Sequence, residues 1–384
     1  MLRLFIIPLA LLGLTVIHGS AWAKTVVVDA GQSIQSAVDH ASPGDAILVE
    51  PGVYQEGAPG DLNAVTVTKP GLQLVALSSP GHPVVLENRG GQSFGLWVSP
   101  SDSAGAGPEG DPERPPCGAT GARIEGFVLV GFTLRNFAVH GAHLACVDGF
   151  VLAGNEASGN AVYGLFPVHS RRGLLIDNVV DHSSTDAGIY VGQSEEVVVI
   201  GNIVQDSLIG IEVENSRNCA VSNNDVYGNT TGILVDVAPG LPVKTLSGTL
   251  VSANRVHDNN SPNGASGGNA SLLPGIGILL IGGHSARLTG NVVTGNQLSG
   301  VALIGFCTAA ALSGQACTGI DVDPNPIGNE IIGNTVIANG TVPFPDPTVD
   351  ALRADLSSDG SGTGNCWSGN RFGSSAPPTL PACR

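Results

Sequence analysis

"VVIGNIVQDSLIGIEV" (residues 198–213) and "AVSNNDVYGNTTGILV" (220–235) follow one another closely and share one plan. A short β-branched run stops at an Asn, a second apolar run stops at a turn, and a third run opens on Gly-Ile. The phrase recurs before them as "VLAGNEASGNAVYGLFP" (151–167) and "LLIDNVVDHSSTDAGIYV" (174–191), and after them as "LVSANRVHDNN" (250–260), "ARLTGNVVTGNQLSGVAL" (286–303) and "EIIGNTVIANG" (330–340). Its first asparagine falls at Asn155, Asn178, Asn202, Asn224, Asn254, Asn291 and Asn334. The spacings are 23, 24 and 22 residues, then 30, 37 and 43, so the later units have grown by insertion. Alternating β-branched runs broken by Asn and Gly give about three short strands per unit, not a helix pair. Units of this length stack as an all-β solenoid, a parallel β-helix: stacking pairs backbone groups between coils and buries one side of every strand, which no unit achieves alone.

The asparagine column then has a structural explanation. Asn tolerates tight turns, and stacked amides can bond from coil to coil. The second column, Asn160, Asn229, Asn259, Asn296 and Asn339, is read the same way.

Around this repeat, the chain opens on Arg3, an apolar run from Leu4 to Ile17 and Ala21-Trp22-Ala23, the order of a secretory signal peptide ending near residue 23. No later stretch reaches the roughly 18–20 apolar residues that span a membrane, so residues 24–384 are expected as one exported domain, secreted or periplasmic, without a membrane span. Within it, residues 24–60 are expected to cap the first coil, 121–340 to form regular coils with loop insertions, and 341–384 to form a C-terminal cap or tail. The cap reading rests on Ile34, Ala37, Val38 and Ala41, which fall at helical spacing. An uncapped coil would expose core and strand edges. Pro/Gly/Ser-rich excursions at 99–120, 238–247, 258–275, 305–329 and 341–360 read as surface loops, either binding elements or simple length variation.

Glycine supplies 54 of 384 residues, about twice its usual share of roughly 7%, in keeping with many turns. The formal charge is −16, which argues against nucleic acid or an anionic membrane as a partner. A polyanionic sugar would be repelled as well, unless a cation bridges it. The seven cysteines all follow the signal segment. Cys307 with Cys317 reads as a loop staple, Cys366 with Cys383 as a clamp on the tail, and Cys117 with Cys146 as a third, weaker pairing, leaving Cys219 free at a strand start.

"DAGIYVGQSEEVVVIGNIVQDSLIGIEVENS" (186–216) with "NNDVYGNTTGILVDVAPGLP" (223–242) resembles a bacterial family of secreted parallel β-helix repeat proteins whose biochemical role is unassigned, over essentially the whole exported chain. That resemblance implies a co-encoded exported protein as a partner. More broadly, cap and coils are similar to the right-handed, pectate-lyase-like β-helix superfamily, which implies polysaccharide lyase, epimerase or hydrolase chemistry, or copper maturation. Fold alone does not choose among them. In alginate-epimerase-like helices an Asp-Pro-His-Asp run holds the chemistry; here Phe166 replaces the first acid, Val168 the histidine and His169 the last acid. The Asp-Asp and Gly-His-Gly of polygalacturonases are absent, as are the esterase motifs. The single Met, at position 1, argues against a copper-maturation role.

Aligning units on the Gly of Gly-Ile-x-Val places the residue two further on at an outward strand position. This ladder reads His143, Phe166, Tyr190, Glu212, Leu234, Leu279, Ala302. Four after the Gly it reads Ala145, Val168, Gly192, Glu214, Asp236, Ile281, Ile304. The polar centre, on coils about 4.8 Å apart, is therefore Tyr190, Glu212, Glu214 and Asp236. Glu212, Glu214 and Asp236 could hold calcium, whose ligands are mostly carboxylate oxygens, and the ion could bridge to an acidic sugar. The same carboxylates could divide acid and base roles, or simply form a solvated face. His169 and Arg171, with Tyr190 and Glu212, are the candidate catalytic set for proton abstraction beside a uronate carboxyl. The expected function is binding, with lyase- or epimerase-like processing as its narrower form, of an extracellular or envelope polysaccharide or oligosaccharide. The competing reading is a non-catalytic scaffold for the exported partner.

Overall fold

A computed structural model describes residues 23–58, 60–100, 117, 121–265 and 272–384. The segment with the signal-peptide pattern, most of the 99–120 excursion and residues 266–271 of the 258–275 excursion lie outside them.

Each repeat unit folds into one coil of three strands, and successive coils pair in parallel and in register. The unit around Asn178 shows the pattern: Arg171–Ile176, then Val179–Asp181, then Ala187–Gly192, after which Val198–Ile200 returns to the first sheet. Among the described residues this builds a 12-stranded first sheet from Thr25–Val28 to Cys366–Ser368. The 11-stranded second sheet runs from Gly52–Tyr54 to Arg371–Phe372, and the 11-stranded third from Asn63–Val67 to Ser375–Ala376. Pairing therefore extends to both sides of the 121–340 stretch expected to hold the regular coils. Residues 341–360, read as a loop, contribute Ala354–Ser358 to the third sheet beside Ser299–Ile304. The N-terminal helix spans Ile34–His40, with Ser33 as its N-cap, and buries Ile34 and Val38 at the end of the stack.

The Ile and Val of Gly-Ile-x-Val fill the coil interior: Ile189, Val191, Ile211, Val213, Ile233 and Val235 are at most 1% exposed and belong to one continuous core. The glycine itself is required by coil spacing. A Cβ on Gly210 would sit 2.6 Å from the carbonyl oxygen of Gly232 and 2.4 Å from Val226 Cγ1. The asparagine column is a buried amide ladder. Asn202 Oδ1 accepts from the backbone N of Asn178 at 2.9 Å and from its Nδ2 at 2.8 Å, while Asn202 Nδ2 donates to Asn224 Oδ1 at 2.9 Å and to the Leu175 carbonyl at 3.1 Å. The second column runs likewise from Asn229 through Asn259 and Asn296 to Asn339. Turn residues thus satisfy backbone donors that the corners would otherwise leave unpaired inside the protein.

Disulfides join Cys117–Cys146, Cys307–Cys317 and Cys366–Cys383, and Cys219 is free and buried. No helix of the described residues is long and apolar enough to cross a membrane.

Candidate functional site

The outer face of the third sheet holds the ladder aligned on Gly-Ile-x-Val. Register sets Tyr190 beside Glu212 and Glu212 beside Leu234, with Glu214 beside Asp236 and Gly192. These positions point away from the coil interior, yet they are covered. Phe166, Tyr190, Leu234, Leu279 and Ala302 are at most 5% exposed and form a second hydrophobic cluster, separate from the coil core. Val349 and Leu352 join it, and Leu272, Leu273, Leu312 and Phe344 pack against it from the excursions. A solvated face is therefore the wrong description: the excursions carry apolar residues that close over the sheet. The aromatic residues are buried too. Phe166 stacks on Tyr190 at 4.8 Å and His143 stacks on Trp97 at 4.1 Å, so these rings face one another and offer no open platform to a sugar.

In this apolar setting the carboxylates are exceptional. Glu212 is 6% exposed, Glu214 and Asp236 are half-buried, and one oxygen from each lies within 4.8 Å of the others. Glu212 Oε2 and Asp236 Oδ1 are buried without a hydrogen-bond partner. Tyr190 Oη donates to Glu214 Oε2. Burial, then repulsion from Asp186, Asp236 and Glu214, holds Glu212 well above the usual carboxylate range. Burial and the charges of Glu214 and Asp186 do the same to Asp236. Burial raises Glu214 to about 7, against the lowering effect of the Tyr190 hydroxyl.

Asp186 is the residue that the sequence reading missed. It precedes the Ala187–Gly192 strand, hydrogen-bonds Glu212, and accepts from Tyr163 Oη at 3.0 Å. It lies two residues before the aligned Gly188 and so off both ladders; the one available signal was its place in "TDAGIYV" directly ahead of a site strand.

The four expected catalytic residues divide between two places. Tyr190 and Glu212 belong to the carboxylate cluster. His169 and Arg171 lie around the corner, where the third sheet turns into the first, on the wall of a cavity of about 220 Å³. Burial, with Arg123 nearby, depresses His169 to about 4, which leaves it neutral near pH 7. Burial and the charge of His169 depress His143 to about 3.

Three oxygens within 4.8 Å suit one hard cation, since calcium–oxygen distances of about 2.3–2.6 Å put opposed ligands about 5 Å apart. Glu212, Glu214 and Asp236 could hold such an ion. Without it, the same proximity allows a shared proton: the Glu212–Asp186 hydrogen bond needs one of the two carboxyls protonated.

Residues 140–316 match the family model described as "Right handed beta helix region". The chain is a right-handed parallel β-helix. This β-helix is similar to the A-modules of two mannuronan C-5 epimerases of Azotobacter vinelandii. One has TM-score 0.62 and 16% identity over 89% of this chain and 85% of that one; the other has TM-score 0.59 and 16% identity over 88% and 90%. A periplasmic alginate epimerase gives TM-score 0.51 and 16% identity over 90% and 83%. At such identity the likeness concerns the β-helix fold. No curated protein matches the sequence.

Proposed function

We propose that this β-helix is an exported protein that binds an acidic polysaccharide of the cell envelope or extracellular space, with calcium held by Glu212, Glu214 and Asp236 as the bridge. The observation behind this reading is the pair of buried, unpartnered oxygens, Glu212 Oε2 and Asp236 Oδ1, set among three carboxylates. An unpaired buried polar atom costs about 1–3 kcal/mol, and two in one cluster is a cost that a bound cation removes. Support for the sugar comes from the similar folds, which are epimerases of mannuronan and alginate. Support for export comes from three disulfides, which persist in oxidising compartments.

A bound calcium ion would neutralise the cluster and pair with a sugar carboxylate. The chain's own residues would then act as follows. Asp186, hydrogen-bonded to Glu212 when no ion is present, stands beside it and positions its carboxyl group. Tyr190 fixes Glu214 through its hydroxyl. Processing of the sugar by a lyase- or epimerase-like step is the narrower form of the proposal, with Tyr190 and Glu212 as the proton-transfer groups.

The test is calorimetric titration of the mature chain with oligogalacturonate and oligomannuronate, in calcium and in chelator, with a neutral cello-oligosaccharide as control. Binding that requires calcium and is lost in Glu212→Gln and Asp236→Asn supports the reading. Appearance of ultraviolet-absorbing unsaturated ends would extend it to a lyase. Absence of calcium-dependent binding in the wild type overturns it and leaves a scaffold for an exported protein partner.

A further inference from the structure

The corner cavity stands apart from the carboxylate cluster. Its wall includes Arg123, His169, Arg171, Gln193, Glu195 and Arg217, so three arginines line one hollow of a protein whose formal charge is −16. Local acids answer only part of that charge. Arg171 is bound to Asp148, a carboxylate 1% exposed that Arg172 also contacts. Arg217 lies 3.6 Å from Glu195. Arg123 is half-buried and, among the described residues, has no carboxylate at ion-pair distance; its Nη1 donates to the His169 carbonyl at 2.6 Å. Burial and repulsion from Arg171 push the Arg123 guanidinium below its usual range, against the charges of Asp148, Glu125 and Glu195. A desolvated cation beside another cation is costly unless an anion joins it.

The hollow is also held in shape. The Cys117–Cys146 disulfide fixes Cys117, itself part of the cavity wall, to the neighbouring coil. Gln193 Oε1 accepts from the Val243 backbone N at 3.2 Å, fixing the 238–247 excursion over the opposite side. The serine ladder beneath, Ser170, Ser194 and Ser216, links the coils at this corner by backbone N–H donors, so the positions of Arg171 and Arg217 are set by coil stacking. At about 220 Å³ the space is below the roughly 300 Å³ at which pockets accept drug-sized ligands and suits one small anion or one sugar ring.

We propose that this cavity is an anion-binding site that takes a single carboxylate or oxyanion group, with Arg123 and Arg217 as its principal ligands. Planar guanidinium forks match such groups through paired N–H donors. Arg171 lends charge while remaining on Asp148. The proposal does not depend on the carboxylate cluster binding calcium.

The experiment titrates the mature chain with galacturonate, inorganic sulfate and galactose at low salt, in chelator throughout so that no cation bridge can form. Galacturonate is expected to bind and galactose not, and Arg123→Gln and Arg217→Gln are each expected to weaken binding by about tenfold or more. Arg217 is 53% exposed, so its variant should keep the wild-type melting temperature even where Arg123→Gln loosens the fold. Sulfate binding with the same arginine dependence, and exclusion of galacturonate, would support the site and assign it to a free oxyanion. Equal binding of galactose and galacturonate, anion binding untouched by Arg217→Gln, or no anion binding at all overturns the proposal.

Discussion

Substituting Glu212→Gln tests the electrostatics of the carboxylate cluster directly. One oxygen each of Glu212, Glu214 and Asp236 falls within 4.8 Å of the others. At an effective dielectric constant of about 20, two unit charges at that distance repel by about 3.5 kcal/mol. Three ionised groups would then cost on the order of 10 kcal/mol, comparable with the roughly 5–15 kcal/mol that holds a typical domain together. All three are therefore not ionised together unless a cation joins them. The pH dependence follows. Glu214 is raised from 4.5 to about 7, so the stability linked to its protonation is complete below 4.5 and is lost as pH rises through 7. Glu212 and Asp236, also raised, add a loss of the same sign. In chelator, the melting temperature should fall by roughly 5 °C or more as pH rises from about 4.5 through about 7; in millimolar calcium the fall should largely vanish. Glu212→Gln keeps the side chain's shape, can still donate to Asp186, and removes two of the three repelling pairs. Its fall in chelator should be about a third of the wild-type fall, and calcium should add little. Circular dichroism melts across the pH series measure this. Identical wild-type slopes with and without calcium, together with an unchanged slope in Glu212→Gln, would refute the reasoning.

Two further outcomes follow from coil stacking. Asn202→Ala orphans the backbone N–H of Asn178, removes a partner from the Leu175 carbonyl and breaks the amide link to Asn224, so a loss of about 3 kcal/mol or more is expected; a shift below about 1 kcal/mol in guanidinium denaturation would contradict the ladder's role. Gly210→Ala places a methyl 2.6 Å from the carbonyl oxygen of Gly232 and should cost about 1–3 kcal/mol, whereas Gly264→Ala, with open space around it, should be nearly neutral; equal effects would dismiss the close-stacking argument.

The repeat was legible because its constraints are local and periodic. Asn at a coil corner and Gly at a close crossing are each dictated by backbone needs that recur every coil, so the phrase declares itself, and the inward Ile and Val follow from strand alternation. The cysteine pairings were legible for a related reason, since two of the three close short loops. What lies over the third sheet was harder to read, because burial there is decided by residues far away in the chain. Glu212 and Leu234 are neighbours in register, yet the ladder alone does not say that Val349 and Leu352 arrive to close the same cluster. The excursions, read as surface loops, hide those apolar residues among Pro, Gly and Asp.

The same distance effect explains how the candidate catalytic set divided. Alignment on Gly-Ile-x-Val follows a column within one sheet, so it collected Tyr190, Glu212, Glu214 and Asp236, which lie together in the fold. It could not show that one residue beyond the strand the chain turns a corner. His169, next after Val168, has φ of 48° and begins that turn. Two coils further on, two residues, Asn215 and Ser216, separate Glu214 of the carboxylate cluster from Arg217 of the cavity wall. An acidic chain that buries unpartnered carboxylate oxygens on one side of a corner and lines the other with three arginines has arranged two complementary demands, one for a cation and one for an anion. If both are met by one acidic polymer, calcium affinity and anion affinity should each strengthen the other by the same factor, as linkage requires. Titrating calcium with and without saturating oligogalacturonate measures that factor. A factor of one, with both sites occupied, would mean that the corner separates two independent sites.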